Sequence, residues 1–285
     1  MSTYDEMLHH LIQEALAEDI GDGDHSTLSC IDKQATGKAV LKIKQDGILA
    51  GVEVAKKIFK LVEPSSVFTA LKMDGDEMKY GEKAFTVSSS IQTILKCERL
   101  VLNIMQRMSG IATLTHQYAS LLKGYHSKIL DTRKTTPNFR LLEKEAVRIG
   151  GGYNHRFALY DMIMLKDNHI DYCGGIEKTI EKAWKYTIAV KPGLKIEVET
   201  RSIEDIQKVI AVGQGKVFRI MLDNFTPGLI SEALSLINGR FETEASGGIN
   251  LDNIEAFAKT GVDYISVGAI IHQAKSLDLS LKAEV

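Results

Sequence analysis

Six short sets of residues carry side chains able to do chemistry. Asp131-Thr132-Arg133-Lys134-Thr135 follows the apolar run KIL, and Lys166-Asp167-Asn168-His169 follows MIML. Glu197 and Glu199 stand in LKIEVET, Asp223-Asn224 closes FRIMLDN, Ser246-Gly247-Gly248 closes FETEASGG, and Gly268-Ala269 follows DYISV. Arg and Lys suit carboxylates and phosphates, Arg through its bidentate fork. Glu197 and Glu199 are two apart on a strand and so share one face. Carboxylates on a buried face are costly unless something pairs with them, which points to a divalent cation or sugar hydroxyls; a structural ion pair is the alternative. The Gly-containing ends allow close backbone approach to a phosphate, against the alternative of plain turns.

The elements that position these sets show in the sequence rhythm. From about Ser127 short apolar runs alternate with helical patterns at Gly175 to Tyr186, Ile203 to Val212, Pro227 to Ile237 and Leu251 to Thr260. That alternation predicts roughly six βα units around a parallel sheet, an incomplete α/β barrel. Barrels collect chemistry at the C-terminal ends of their strands, which is where the six sets fall. A doubly wound open sheet is the alternative, but no GxGxxG opens any of these helices.

The first part of the chain reads as a mixed α+β unit. Apolar spacing predicts a helix over Tyr4 to Glu18, a strand over Gly37 to Ile48, and short strands over Phe68 to Val87 with turns at Gly75 and Gly81. A helical stretch from Ile91 to about Leu122 follows, with a break expected at Gly110. The expected division is residues 1–111 and 112–285, with a tail, 270–285, that packs back on the first part.

Composition narrows the class. Thirty-five Lys and Arg against thirty-seven Asp and Glu give a net charge of -2. Nucleic-acid coats and membrane-surface proteins need a basic excess. Between Lys128 and Ile170, however, eight Lys and Arg face five acids, a local sum of 8 - 5 = +3. That asymmetry predicts a pocket for a strongly anionic small ligand. Gly150-Gly151-Gly152-Tyr153-Asn154-His155-Arg156 reads as a flexible loop presenting His155 and Arg156. Three cysteines without CxxC spacing argue against a disulfide framework or zinc site. The acidic N-terminal residues Asp5 and Glu6 and the polar run Met108 to Leu122 predict neither signal peptide nor membrane span, hence a cytoplasmic protein. The residues alone lead to a barrel enzyme that binds a phosphorylated sugar and a polyanionic co-substrate with magnesium.

Taken in order, LAEDIGDGDHST, CERLVLNIMQRMSGIAT, DTRKTTP, GGGYNHR, LKDNH, IEVET, MLDN, EASGG and TGVDYISVGA span essentially the whole chain. In these motifs the chain resembles the quinolinate phosphoribosyltransferases. The resemblance implies an N-terminal α/β sandwich domain and an incomplete α/β barrel. It also implies transfer of phosphoribose from phosphoribosyl pyrophosphate to quinolinate, with decarboxylation, giving nicotinate mononucleotide for NAD synthesis. It implies magnesium, and a homodimer or larger assembly whose subunits share active sites. Carried over by motif, Arg133, His155, Arg156 and Lys166 hold quinolinate and neighbouring phosphate charge, with Arg99 reaching in from the partner. Lys134 faces the pyrophosphate. Glu199 and Asp223 lie near the ribose hydroxyls and magnesium, directly or through water, and with Lys166 they are the catalytic set. Ser246, Gly247, Gly248 and Gly268 cradle the sugar phosphate, with His272 just beyond. His25 and His169 are expected to serve structurally. Thr136 and Ala158 depart from the family pattern, where Leu and Gly are common. Three rivals remain at this level: a Schiff-base aldolase using Lys166, a metabolite-binding paralogue, and an enzyme preferring nicotinate.

Overall fold

The computed structural model describes residues 3–284 and divides into two compact units. The first holds the chain up to His116 together with Thr135–Gly151 and everything from Ile270 onward; the second holds Gln117–Lys134 and Gly152–Ala269.

The first unit opens with α1 (Tyr4–Ile20). Thr3 caps it in a reciprocal capping box with Glu6, and Leu8 and Ile12, four apart, are its buried face. Then come α2 (His25–Cys30), β1 (Thr36–Ile43), β2 (Gly47–Ile48), α3 (Val52–Val62), β3 (Val67–Ala70), β4 (Glu77–Met78), β5 (Lys83–Ser90) and the start of α4 (Ile91–Leu121). The strand expected over Gly37 to Ile48 is therefore split in two. The 31-residue α4 runs unbroken through Gly110. Glycine serves there for contact, since a Cβ would lie 2.9 Å from the carbonyl carbon of Lys275 and 3.3 Å from Ser276 Cα.

Helix α5 (Arg140–Ile149) also belongs to this unit, so the division is not a single cut near residue 111. Arg107 on α4 donates to the buried Glu143 on α5 through Nε and Nη2, at 3.0 and 2.7 Å. Glu143 also accepts from the Thr136 amide and hydroxyl. Both oxygens of that carboxylate thus have donors, which offsets its desolvation.

The second unit contains β6 (Lys128–Leu130), β7 (Ile163–Leu165), α6 (Asp167–Cys173), α7 (Ile176–Ala189), β8 (Ile196–Thr200), α8 (Ile203–Gly213), β9 (Arg219–Asp223), α9 (Pro227–Ile237), β10 (Glu242–Ser246), α10 (Ile254–Ala258) and β11 (Tyr264–Ser266). The chain ends in α11 (Ala269–His272) and β12 (Leu279–Glu284). β12 pairs antiparallel with β1, in a four-stranded sheet ordered β12-β1-β5-β3.

All pairings in the six-stranded sheet are parallel, in the order β6-β11-β10-β9-β8-β7. The two edges, β6 and β7, are consecutive in sequence, so this incomplete α/β barrel is open between its first two strands. Ser202 caps α8 and Thr226 caps α9, with Pro227 at the first helical turn, so each turns the chain directly from strand end into helix. Val198, Ile220, Leu222, Ala245 and Ile265 are fully buried on the helix side. The opposite, interior face carries Glu197, Glu199, Arg219, Asp223, Glu242, Glu244 and Ser246, an arrangement fixed by period-two alternation and by the registers Glu197↔Arg219, Arg219↔Glu242 and Asp223↔Ser246.

Candidate active site

A parallel sheet puts every strand's C-terminal end on the same side. Residues predicted from the strand ends therefore converge in the second unit: Arg133 and Lys134 after β6, Lys166 after β7, Glu199 on β8, Asp223 on β9, Ser246, Gly247 and Gly248 at β10, and Gly268 after β11. An open cleft at the other end of the sheet, between Trp184, Ile188 and Phe218, has none of these groups.

Lys166 Nζ lies 3.6 Å from Glu199 Oε2, with the carboxylate side chain 11% exposed. The Lys166 amide donates to His169 Nδ1 at 3.0 Å, so His169 shapes the first turn of α6. Asp223 accepts from Asn224 Nδ2 at 2.7 Å. Asn224 is in turn fixed by its own amide, which donates to the Ser246 carbonyl at 2.8 Å, and its φ of 59° needs the left-handed region that Asn tolerates. Gly247 sits against it at φ 95°, where any Cβ would collide with the Asn224 side chain and lie 2.9 Å from its amide. Gly248, at φ 64°, borders open space instead. This left-handed pair bends the backbone away from β10 and leaves room beside it for a ligand atom.

The segment expected to be a flexible loop is held in place. Tyr153 bridges Leu130 and extends the sheet at β6: its amide donates to Ile129, and its carbonyl accepts from the Asp131 amide. The His155 amide donates to the buried carboxylate of Asp131 at 2.8 Å. Gly150 is required by proximity, since a Cβ there would lie 2.8 Å from Thr115 Cβ. Arg156, 8% exposed, donates through Nη1 to the Met162 carbonyl at 3.1 Å. Burial, and then the positive charge of Arg133, push its guanidinium below the ordinary arginine value. Two guanidinium groups close enough to oppose each other in a partly dry setting make a strong anion site.

His155 turns its ring into the barrel interior. Its side chain is 6% exposed, and Nε2 lies 3.0 Å from Glu197 and 3.5 Å from Glu244. Burial raises the carboxyl pKa of Glu197 to about 7, and burial together with the charge of Glu197 raises that of Glu244 to about 8. Glu244 and Arg219 were missed among the candidates. Their signal was present, since FRIMLDN and FETEASGG place charges inside strands whose other residues are apolar or small.

Two predicted residues lie in the first unit. Arg99 is exposed on α4, and His272 is exposed at the end of α11. On the same helix Leu102 and Met105 are buried, but Leu95 is 39% exposed.

Models of the quinolinate phosphoribosyl transferase N-terminal and C-terminal domains match residues 24–109 and 111–282. The chain belongs to the quinolinate phosphoribosyltransferase family. Among its relatives, quinolinate phosphoribosyltransferase [decarboxylating] 1b of Nicotiana tabacum is 44% identical, covering 99% of this chain and 83% of that protein. A probable nicotinate-nucleotide pyrophosphorylase [carboxylating] of Bacillus subtilis is 43% identical over 96% of this chain and 92% of its own length. The crystal structure of NadC from Streptococcus pyogenes superposes with a TM-score of 0.91 at 39% identity, covering 100% of both chains. Family membership accounts for the pairing of an antiparallel-sheet unit with an incomplete barrel. It also answers the aldolase alternative, because the family's chemistry is phosphoribosyl transfer.

Proposed function

We propose that the protein transfers phosphoribose from phosphoribosyl pyrophosphate to the ring nitrogen of quinolinate and releases pyrophosphate and CO2, leaving nicotinate mononucleotide for NAD synthesis. The observation that carries the reading of the substrate is the buried Arg156 guanidinium on the fixed loop together with the half-buried Arg133 after β6. A dicarboxylate compensates two such charges, whereas a monocarboxylate leaves one of them poorly paired. In this reading Arg133, Arg156 and Lys166 hold the quinolinate carboxylates, His155 and Arg156 sit side by side on the fixed loop, and Arg99 of a second copy completes the site. Lys134, exposed beside Arg133, faces the pyrophosphate. Ser246, Gly247, Gly248 and Gly268 receive the sugar phosphate on their backbone.

The reaction needs the nitrogen aimed at the ribose anomeric carbon while the carbon–oxygen bond to pyrophosphate breaks. Aiming is the work of the arginines. Positive charge grows on the ribose as the bond breaks, and Glu199, held near the site by Lys166, stabilises it electrostatically. After transfer the ring nitrogen is cationic, so it stabilises the electron pair that stays on the adjacent ring carbon when the carboxylate departs as CO2, and that carbon then takes up a proton. No covalent bond to the protein is needed, and Lys166 acts as a charge.

Glu199 and Asp223 offer hard carboxylate oxygens on neighbouring strands of one face, a donor set that fits magnesium. The chemistry magnesium supplies when bound is neutralisation of pyrophosphate charge. The reading includes a homodimer and a cytoplasmic location. No helix among the described residues is long and apolar enough to cross a membrane, while rice and Arabidopsis relatives are named chloroplastic.

Charge stabilisation that strengthens only in the transition state appears in kcat. Glu199→Ala is therefore expected to lower kcat on the order of a hundredfold, the scale of losing one transition-state partner, with the KM for quinolinate changed by less than about threefold. Steady-state kinetics with quinolinate varied at saturating phosphoribosyl pyrophosphate measures both. An unchanged kcat with a raised quinolinate KM contradicts the assignment.

A further inference from the structure

Beneath the candidate substrate residues, inside the barrel, lies a group of charges with no task in the reaction as described. Arg219 Nη1 donates to Glu244 Oε2 at 2.9 Å, and its Nε and Nη2 donate to Glu242 Oε2 at 3.3 and 2.9 Å. The guanidinium stacks on Tyr264, 4.1 Å from the ring centroid. Arg219 is thereby immobilised on three strands, β9, β10 and β11. Glu197 and Glu244 together face His155 Nε2. The other ring nitrogen, Nδ1, accepts the Arg156 amide at 2.7 Å. A nitrogen that accepts carries no proton, so the proton sits on Nε2, the ring atom that lies 3.0 Å from Glu197 and 3.5 Å from Glu244. The imidazole is a strut with one end on the interior glutamates and the other on the backbone of Arg156.

His155, Glu197 and Glu244 bring their ligand atoms within 4.8 Å of one another, a spacing that would suit a cation. Arg219 already supplies positive charge there, 2.9 Å from Glu244 and 3.8 Å from Glu197, and a second cation would be repelled by it. The arrangement is that of a support for the loop.

The geometry points to Glu244 as a positioning residue for quinolinate: anchored by Arg219, it fixes the His155 imidazole and, through it, the backbone from which Arg156 reaches the substrate. The inference rests on the reading above that Arg156 holds a quinolinate carboxylate. It adds a determinant of substrate affinity that touches no substrate. Residues that orient a first contact from behind are commonly needed to hold it within a fraction of an ångström.

The test compares Glu244→Gln, which keeps size and an acceptor oxygen, with Glu244→Leu, which keeps only size. Glu244→Leu is expected to raise the quinolinate KM at least tenfold while the KM for phosphoribosyl pyrophosphate changes less than twofold. Glu244→Gln is expected to return the quinolinate KM to within threefold of wild type. A general loss of structure would move both constants together, and that outcome, or a folded Glu244→Leu with a normal quinolinate KM, overturns the proposal. If Glu244→Leu does not fold, nitrogen NMR of the wild-type imidazole decides. The Nε2-protonated tautomer at His155, retained in Glu244→Gln, supports the strut, and the Nδ1-protonated tautomer overturns it. Wild-type turnover of quinolinate, measured alongside, tests the underlying reading separately.

Discussion

Arg156→Ala and Arg133→Ala are each expected to weaken quinolinate binding roughly tenfold to a hundredfold. Removing a charge-assisted hydrogen bond to a charged group costs about 1.5–3 kcal/mol, and each 1.4 kcal/mol is about a factor of ten. Arg156 should give the larger effect. It is 8% exposed, whereas Arg133 is only half-buried, and interactions strengthen as water is excluded. Arg156→Lys keeps the charge but loses the planar fork, and should recover only part of the affinity. Calorimetry with quinolinate measures these constants directly. Wild-type affinity in both alanine variants would remove the pair from the substrate site.

The second large effect concerns assembly. Arg99→Ala and Lys166→Ala are each expected to be inactive alone, because in the proposed homodimer each spoils every site. Mixed and allowed to exchange subunits, they should regain activity, since one site of each mixed dimer takes an intact Arg99 from one chain and an intact Lys166 from the other. Random equal mixing in a twofold dimer sets a ceiling of about one quarter of wild-type activity. Arg99 is exposed on α4, and the exposed Leu95 stands four residues earlier on the same helical face. That face offers both an apolar contact and a cation to a second copy. No recovery after demonstrated exchange would place Arg99 outside any shared site.

Much of the candidate site was legible because parallel strands turn a sequence rule into a spatial one. Once KILDTRK, MIMLKDN, LKIEVET, FRIMLDN, FETEASGG and DYISVGA are read as strands, their last residues must share one side. The conformations within that side were not legible. His155 and Arg156 are adjacent in sequence, yet the imidazole points into the barrel, and the Asp131 and Tyr153 hydrogen bonds help fix the loop that turns it there. Gly110 showed a second limit. Glycine marks either a break or a close approach, and nothing local to α4 reveals that the Lys275 backbone passes beside it. Helix α5 joins the first unit through Arg107–Glu143, a contact between residues 36 apart that no local pattern announces.

The most direct measurement supplies the protein with phosphoribosyl pyrophosphate, magnesium and carboxyl-labelled quinolinate, and follows pyrophosphate and labelled CO2 together. The expected result is equal amounts of both, with nicotinate mononucleotide formed in step, and neither released when nicotinate replaces quinolinate. Pyrophosphate released without CO2, or released equally well with nicotinate, would contradict the assignment of the Arg133 and Arg156 pair to a dicarboxylate and with it the proposed reaction.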